Sequence, residues 1–142
     1  MTTPLHILLV EDNAGDILLT QVAFEELGIH FKMSVVNDGD EAVDFLSREG
    51  DYQQVELPHL LLLDINLPKK NGHEVLKYIE ANRSLCHIPV IMLTTSSSKK
   101  DIDLAYEHHA SGFITKPSNV NDFISAIGTT IGVWLPKIHP AD

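Results

Sequence analysis

Short apolar runs alternate along the chain with segments whose apolar residues recur at three- and four-residue steps. Residues 60–64 are almost wholly apolar, which is typical of a parallel strand covered on both faces. Residues 119–131 show the helical spacing of an amphipathic segment. Together the two patterns predict strands at residues 5–10, 31–36, 60–64, 88–94 and 112–115, and helices at residues 15–27, 41–48, 72–81, 100–109 and 119–131.

A strand followed by a helix, repeated five times, predicts an α/β domain with a parallel sheet and helices on both of its faces. Right-handed crossovers leave few topologies for such a sheet. The repeating pattern ends near residue 132, so we interpret residues 1–132 as one domain. Residues 133–142 lie outside the pattern and are interpreted as a C-terminal tail.

The composition is that of an ordinary globular domain, since the 142 residues are 44% hydrophobic and 21% charged. The longest apolar runs are far shorter than the roughly 20 residues that span a bilayer. Residues 1–4 lack the basic and apolar regions of a secretory signal. Cys86 is the one cysteine and cannot form an internal disulfide. These features predict a cytoplasmic protein that has no membrane partner.

The net charge is −10, from 20 acidic and 10 basic residues. A nucleic-acid-binding surface would usually carry a basic stripe, so the acidity argues against nucleic acid as a partner. It suits a partner with a basic patch, or a site that binds a cation. The alternative is that the acidity serves only solubility.

Polar residues follow the predicted strands at their carboxyl ends. Glu11 and Asp12 follow the first strand, Asp64 ends the third, Thr94 ends the fourth, and Lys116 follows the fifth. In a parallel sheet these ends lie along one edge, where ligands bind. The sequence therefore predicts that three carboxylates, a hydroxyl and an ammonium group converge. Taken singly, the acids could be turn residues or helix caps, and Thr94 could cap the next helix.

Three clustered carboxylates repel one another and need neutralisation. Mg²⁺ is a hard cation that prefers oxygen ligands, and Lys116 adds a positive charge opposite the acids. Such a set suits the transfer of a phosphoryl group to a carboxylate, with the acid as nucleophile and the cations screening its charge.

The ordered set Glu11-Asp12, Asp64, Thr94 and Lys116-Pro117 resembles the receiver domain of bacterial two-component signalling, over roughly residues 5–132. The resemblance implies a flavodoxin-like, doubly wound (βα)5 fold with strand order 2-1-3-4-5. It also implies a response regulator that takes a phosphoryl group from a sensor histidine kinase and signals by protein contact. Such a protein is a phosphoacceptor rather than an enzyme with a separate substrate.

The same resemblance implies a role for each acid. Asp64 would be the phosphoacceptor and a ligand of Mg²⁺. Asp12 would bind the metal directly, Glu11 would bind it mainly through water, and Asn66 would offer its backbone carbonyl.

Around the phosphoryl group, the resemblance implies that Thr94 donates a hydrogen bond and that Lys116 forms an ion pair. A cis peptide would join Lys116 to Pro117. Phe113 stands at the family's switch position, where many members have tyrosine or histidine. Phenylalanine has no hydroxyl, so any coupling between Thr94 and Phe113 would act through packing.

A narrower resemblance links the chain to the small regulators paired with bacterial and cyanobacterial phytochromes. It rests on Glu11-Asp12-Asn13, residues 66–72, residues 93–96 and Trp134-Leu135. It implies a light-sensing kinase as partner and a homodimer. Trp134, Leu135 and Ile138 are the candidate residues for a dimerisation arm. The alternative is that they pack back onto their own protomer.

On the first helix, the spacing predicts a core stripe formed by Leu19, Ala23 and Leu27. Leu18 and Val22 lie on a neighbouring stripe. We expect core packing for this pair by default, and the sharper hypothesis is that they dock a kinase helix.

Other functions fit less well. An aspartate-nucleophile phosphatase would carry a second aspartate at position 66, where this chain has Asn66. A flavin-binding module would place a glycine- and hydroxyl-rich loop where Glu11 and Asp12 stand. A phosphate-independent interaction module would not need the full acid set. The adjacent His108 and His109 are expected to point apart on a helix, which argues against a shared zinc ion.

Overall fold

The computed structural model describes residues 3–95 and 98–138. Within these ranges, strands and helices alternate along the chain. The strands are β1 (Leu5–Val10), β2 (Phe31–Val36), β3 (Leu60–Leu63), β4 (Val90–Thr94) and β5 (Gly112–Thr115), and the helices are α1 (Ala14–Glu26), α2 (Gly39–Ser47), α3 (Gly72–Glu80), α4 (Lys99–Glu107) and α5 (Val120–Ile138), with a 3-10 turn at Gly50–Tyr52.

The five strands form one parallel sheet in the order β2-β1-β3-β4-β5, which confirms the predicted fold and strand order. The chain runs outward from β1 to β2 and then returns to β3 on the other side of β1. In open parallel sheets, ligands bind at the carboxyl ends of strands beside such a switch point. Val10 pairs with Leu63 across it, so the residues that follow β1 and β3 are neighbours.

The sheet separates two apolar cores because successive side chains on a strand point to opposite faces. The first, the α2–α4 core, lies between the sheet and helices α2, α3 and α4. The second, the α1–α5 core, lies between the sheet and helices α1 and α5. Every residue of β1, β3 and β4 is buried, which explains why these strands read as continuous apolar runs.

Helix α1 buries only part of the predicted stripe, since Ala23 is buried and Leu19 is partly buried against the α1–α5 core. Thr20, Ala23 and Phe24 are buried, whereas Leu27 is exposed and lies at the C-cap. The Phe24 ring packs on Phe31 of β2 with 5.6 Å between the centroids. Thr20 can be buried because its hydroxyl donates a 2.7 Å hydrogen bond to the backbone carbonyl of Asp16. Leu18 lies on the exposed side of the helix, with 61% of its surface accessible.

Helix α5 extends to Ile138, seven residues beyond the predicted end at residue 131. Pro136 lies in its last turns, where proline removes one backbone hydrogen bond without preventing the helix from closing around it. The apolar face continues, since Trp134, Leu135 and Ile138 are partly buried against the α1–α5 core of their own chain. Residues 133–138 are therefore helical rather than a separate tail, and residues 139–142 lie outside the described ranges.

Of the helices in the described ranges, none is long and apolar enough to cross a membrane.

Candidate functional site

An acidic cluster occupies the carboxyl ends of β1 and β3. One carboxylate oxygen from each of Glu11, Asp12 and Asp64 lies within 4.8 Å of the other two. Glu11 and Asp64 are buried, whereas Asp12 is exposed. The structure therefore brings together the three acids singled out from the sequence.

Glu11 is held by the backbone around it. The amides of Asp12 and Asn13 donate to its Oε2 at 3.1 and 3.2 Å, and the Asn37 side chain donates to its backbone carbonyl at 3.0 Å. Burial raises the pKa of Glu11 to about 7; the hydrogen bond from Lys116 opposes the rise and the charge of Asp64 adds to it. Burial therefore disfavours the charged form of Glu11, and the hydrogen bond from Lys116 offsets this only in part.

The ammonium of Lys116 faces these acids from the loop after β5. Its Nζ donates to Glu11 Oε1, to Asp16 Oδ2 at 2.9 Å and to Asp64 Oδ2 at 3.4 Å. Burial by itself lowers the pKa of Lys116, but the hydrogen bonds to Glu11 and Asp16 and the charge of Asp64 outweigh it, so the pKa is raised. Lys116 therefore remains charged in a nearly dry position.

Asp16 belongs to this site and was missed by the sequence reasoning. It lies in the first turn of α1, only four residues after Asp12. A helix that starts at the carboxyl end of β1 directs its first turn along the same sheet edge. That placement was the available signal, because an acid in the first turn can reach toward the residues that follow the strands.

The loop after β3 packs directly against the end of that strand. The amide of Asn66 donates to Asp64 Oδ1 at 3.2 Å, and the amide of Gly72 donates to the carbonyl of Ile65 at 2.8 Å. A Cβ at position 72 would lie 2.3 Å from the backbone oxygen of Asp64, so only glycine fits there. Gly72 thereby lets α3 begin against the end of β3 and fixes the loop that carries Asn66.

Thr94 closes the other side of the site from the end of β4. It is fully buried, and its hydroxyl lies 3.5 Å from the side-chain amide nitrogen of Asn66. Its backbone carbonyl accepts a 2.6 Å hydrogen bond from the amide of Lys116. Thr94 and Lys116 are therefore linked through the main chain.

The expected cis bond between Lys116 and Pro117 is wrong, because the described residues contain no cis peptide. A trans X–Pro bond is the lower-energy form by about 0.5–1 kcal/mol. In the trans form the Lys116 side chain already reaches all three of its carboxylate partners.

Phe113 lies on β5 and packs, partly buried, against the α2–α4 core. It pairs in register with Met92 of β4, and Thr94 pairs with Thr115. Phe113, the predicted switch residue, therefore lies on the strand next to that of Thr94. It stands two residues before Thr115, the residue with which Thr94 pairs.

The neighbouring histidines do not point apart as expected. His108 Nδ1 lies 2.8 Å from Glu80 Oε2, and His109 Nδ1 lies 3.5 Å from Glu80 Oε1. Both reach one carboxylate because His109 has left the helix with a φ of 68°. A zinc site needs at least three His, Cys, Asp or Glu ligand atoms close together. Among the described residues, three such atoms lie within 4.8 Å of one another in the acidic cluster and not at these histidines.

Comparison with known proteins gives a consistent result. A family model described as the response regulator receiver domain matches residues 7–128. Response regulator Rcp1 of Synechocystis sp. (strain ATCC 27184 / PCC 6803 / Kazusa) is 38% identical, over 95% of this chain and 92% of Rcp1. "Probable methanogenesis regulatory protein FilR2" of Methanothrix harundinacea (strain 6Ac) is 40% identical, over 93% of this chain and 84% of that protein.

Solved structures agree with the sequence comparison. The Mn²⁺-bound form of Rcp1 superposes with a TM-score of 0.89 at 39% identity, covering 97% of this chain and all of that one. The phosphorylated cyanobacterial phytochrome response regulator RcpA superposes with a TM-score of 0.85 at 38% identity, covering 94% of this chain and 93% of RcpA. The similarity therefore spans nearly the whole chain and includes the strand ends where the acidic cluster lies.

Proposed function

Because the chain belongs to the response-regulator receiver family, we propose that it relays a signal by accepting a phosphoryl group on Asp64 beside a bound Mg²⁺. One observation carries the proposal. Asp64 follows the last residue of β3, one oxygen of Glu11 and one of Asp12 lie within 4.8 Å of its carboxylate, and the Lys116 ammonium donates to it at 3.4 Å. An acid in that setting can act as a nucleophile while cations screen the incoming charge.

The donor set fits Mg²⁺. The three carboxylates are hard oxygen ligands, and one oxygen of each lies within 4.8 Å of the other two. We assign direct ligation to Asp12, Asp64 and the backbone carbonyl of Asn66, and water-mediated ligation to Glu11. The manganese-bound form of Rcp1 supports the assignment, because Mn²⁺ and Mg²⁺ both favour oxygen ligands. When bound, the ion supplies charge neutralisation and orients the oxygens of the incoming group.

In the transfer step, a carboxylate oxygen of Asp64 attacks the phosphorus of a phosphohistidine. The new P–O bond forms as the P–N bond breaks, and the imidazole leaves. In this proposal Lys116 and the Thr94 hydroxyl donate to the oxygens of the transferred group, which stabilises its developing charge. The 3.4 Å contact between Lys116 and Asp64 supports the role of Lys116. Asn66 carries no acidic proton, so it cannot act as the general acid that an aspartate-nucleophile phosphatase has at this position.

We propose a sensor histidine kinase as the donor and a phytochrome-linked kinase as the specific candidate. The support is the similarity to RcpA, a phytochrome response regulator, and to Rcp1. FilR2, whose name refers to methanogenesis and not to a phytochrome, has a similar sequence identity of 40%. The phytochrome link therefore rests on the relatives, whereas the receiver chemistry rests on this chain's own residues.

The experiment is intact-mass measurement after incubation with acetyl phosphate, with and without Mg²⁺. The wild-type chain should gain one phosphoryl group only when Mg²⁺ is present, and Asp64→Asn should gain none. Asp38→Asn is the matched control, since Asp38 is also a buried acid but its carboxylate caps α2 and pairs with Lys69. An equal gain in Asp64→Asn would refute the assignment of the acceptor.

A further inference from the structure

Asp16 contacts the lysine of the site from the first turn of α1. Its Oδ2 accepts a 2.9 Å hydrogen bond from Lys116 Nζ, whereas the contact from Nζ to Asp64 Oδ2 is 3.4 Å. The ammonium therefore lies closer to Asp16 than to the residue proposed to carry the phosphoryl group.

The contacts of Lys116 use all of its donors. An ammonium has three N–H groups, and Glu11, Asp16 and Asp64 each accept from Nζ. The Lys116 side chain is only 6% exposed, so it has little contact with solvent. A phosphoryl oxygen on Asp64 can accept a hydrogen bond from Lys116 only if one of the three carboxylates loses its own hydrogen bond from Nζ.

Of the two carboxylates that do not themselves carry the phosphoryl group, Asp16 is released more easily than Glu11. Its side chain is 31% exposed, whereas that of Glu11 is 1% exposed, so water can replace the lost contact at Asp16 but not at Glu11. Its backbone is fixed independently, because its amide donates to Asn13 and its carbonyl accepts from Thr20. A rotation of the Asp16 side chain is therefore enough to free one donor.

We propose that Asp16 is a positioning residue that holds the Lys116 ammonium away from Asp64. It releases the ammonium when a phosphoryl group binds to Asp64. The inference rests on the proposed function and concerns the regulation of the same site. Asp16 competes with the phosphoryl group for a donor and also places a negative charge near an anion-binding position. Both effects weaken phosphoryl binding, so neutralising Asp16 strengthens it.

The test uses BeF₃⁻, an analogue of a carboxylate-bound phosphoryl group, titrated into the full chain at saturating Mg²⁺ and followed by ¹⁹F NMR. Asp16→Asn keeps the shape of the side chain and removes its charge. We expect its apparent Kd for BeF₃⁻ to fall by roughly three- to tenfold relative to wild type. Asp40→Asn, which removes an acid from the first turn of α2, is the control and should leave the Kd unchanged.

Repeating the titration at low and high potassium chloride distinguishes the effect of the direct Asp16–Lys116 contact from the effect of long-range charge on the Kd. Competition within a buried contact is screened little by salt, so the gain in Asp16→Asn should persist at high salt. A gain that disappears at high salt would overturn the positioning role. An unchanged or raised Kd in Asp16→Asn, in a variant whose urea unfolding shows that it is folded, would also overturn it.

The wild-type titration distinguishes this inference from the function on which it rests. If the wild-type chain does not bind BeF₃⁻ with Mg²⁺, the proposed function fails and the role of Asp16 fails with it. If the wild type binds and only the effect of Asp16→Asn is missing, the receiver function stands and the role of Asp16 is rejected.

Discussion

At the scale of single residues, most of the site could be predicted because its members follow strands. Glu11, Asp12 and Asp64 stand directly after or at the end of apolar runs, and the carboxyl ends of parallel strands lie along one edge. Asp16 was missed because its one signal, a position in the first turn of the helix after β1, is shared by ordinary helix acids. Its contact joins residues that are 100 positions apart, so only the folded chain shows it.

A glycine also belongs to the site at this scale. Gly72→Ala would place a Cβ 2.3 Å from the Asp64 backbone oxygen, and the loop after β3 would have to move. We expect the free energy of unfolding to fall by about 1–3 kcal/mol and the phosphorylation rate by acetyl phosphate to fall as well.

Gly132→Ala is the control for this change, since Gly132 lies in α5 with no atom within 4 Å of a built Cβ. It should stabilise the chain by roughly 0.5–1 kcal/mol, because alanine favours the helix. Urea unfolding of both variants checks the prediction. Equal effects from the two substitutions would mean that the close approach at Gly72 is not a constraint.

At the scale of secondary structure elements, strands were predicted better than helix faces. The bounds of β1, β2 and β5 agree with the predicted ones. Strands β3 and β4 are one and two residues shorter than predicted, since a buried apolar residue such as Ile88 can lie outside the strand. The buried face of α1 differed because the helix ends at Glu26, which leaves Leu27 at the exposed cap. The predicted helix ended at residue 131, whereas α5 and its apolar face continue through Pro136 to Ile138.

Helix α1 also yields a prediction about the kinase. Leu18 is exposed and Val22 is partly buried, so the two can form a contact surface beside the site. Leu18→Glu should slow phosphoryl transfer from the cognate kinase by about tenfold, the size of a typical interface contact. Phosphorylation by acetyl phosphate should not change, because the small donor needs no docking surface.

Val120→Glu is the control for this surface, since Val120 is also exposed but lies at the start of α5. Its transfer rate from the kinase should match that of wild type. If Leu18→Glu receives phosphate from the kinase as fast as wild type, α1 is not the docking surface.

At the scale of the whole molecule, we propose that the end of α5 contributes to a homodimer. Trp134, Leu135 and Ile138 are partly buried on their own core, which leaves part of each available to a second copy. Val133 is 60% exposed on the same segment. The dimer interface would then extend the α1–α5 core of one protomer toward that of the other.

Val133→Glu tests the dimer without removing a core residue. Sedimentation should show a weaker dimer for Val133→Glu than for wild type, while urea unfolding of the monomer should change by less than about 0.5 kcal/mol. A chain cut after Gly132 should also lose the dimer, but it loses core contacts as well. If both altered chains dimerise as strongly as wild type, this segment is not the interface.

The most direct test of the central claim locates the phosphoryl group on the chain. Sodium borohydride reduces an aspartyl phosphate to homoserine, and peptide mass spectrometry then identifies the position. After reaction with acetyl phosphate and Mg²⁺, we expect homoserine at position 64 and none in a reaction that lacks Mg²⁺. Homoserine at another aspartate, or at position 64 irrespective of the metal, would contradict a metal-assisted transfer to Asp64.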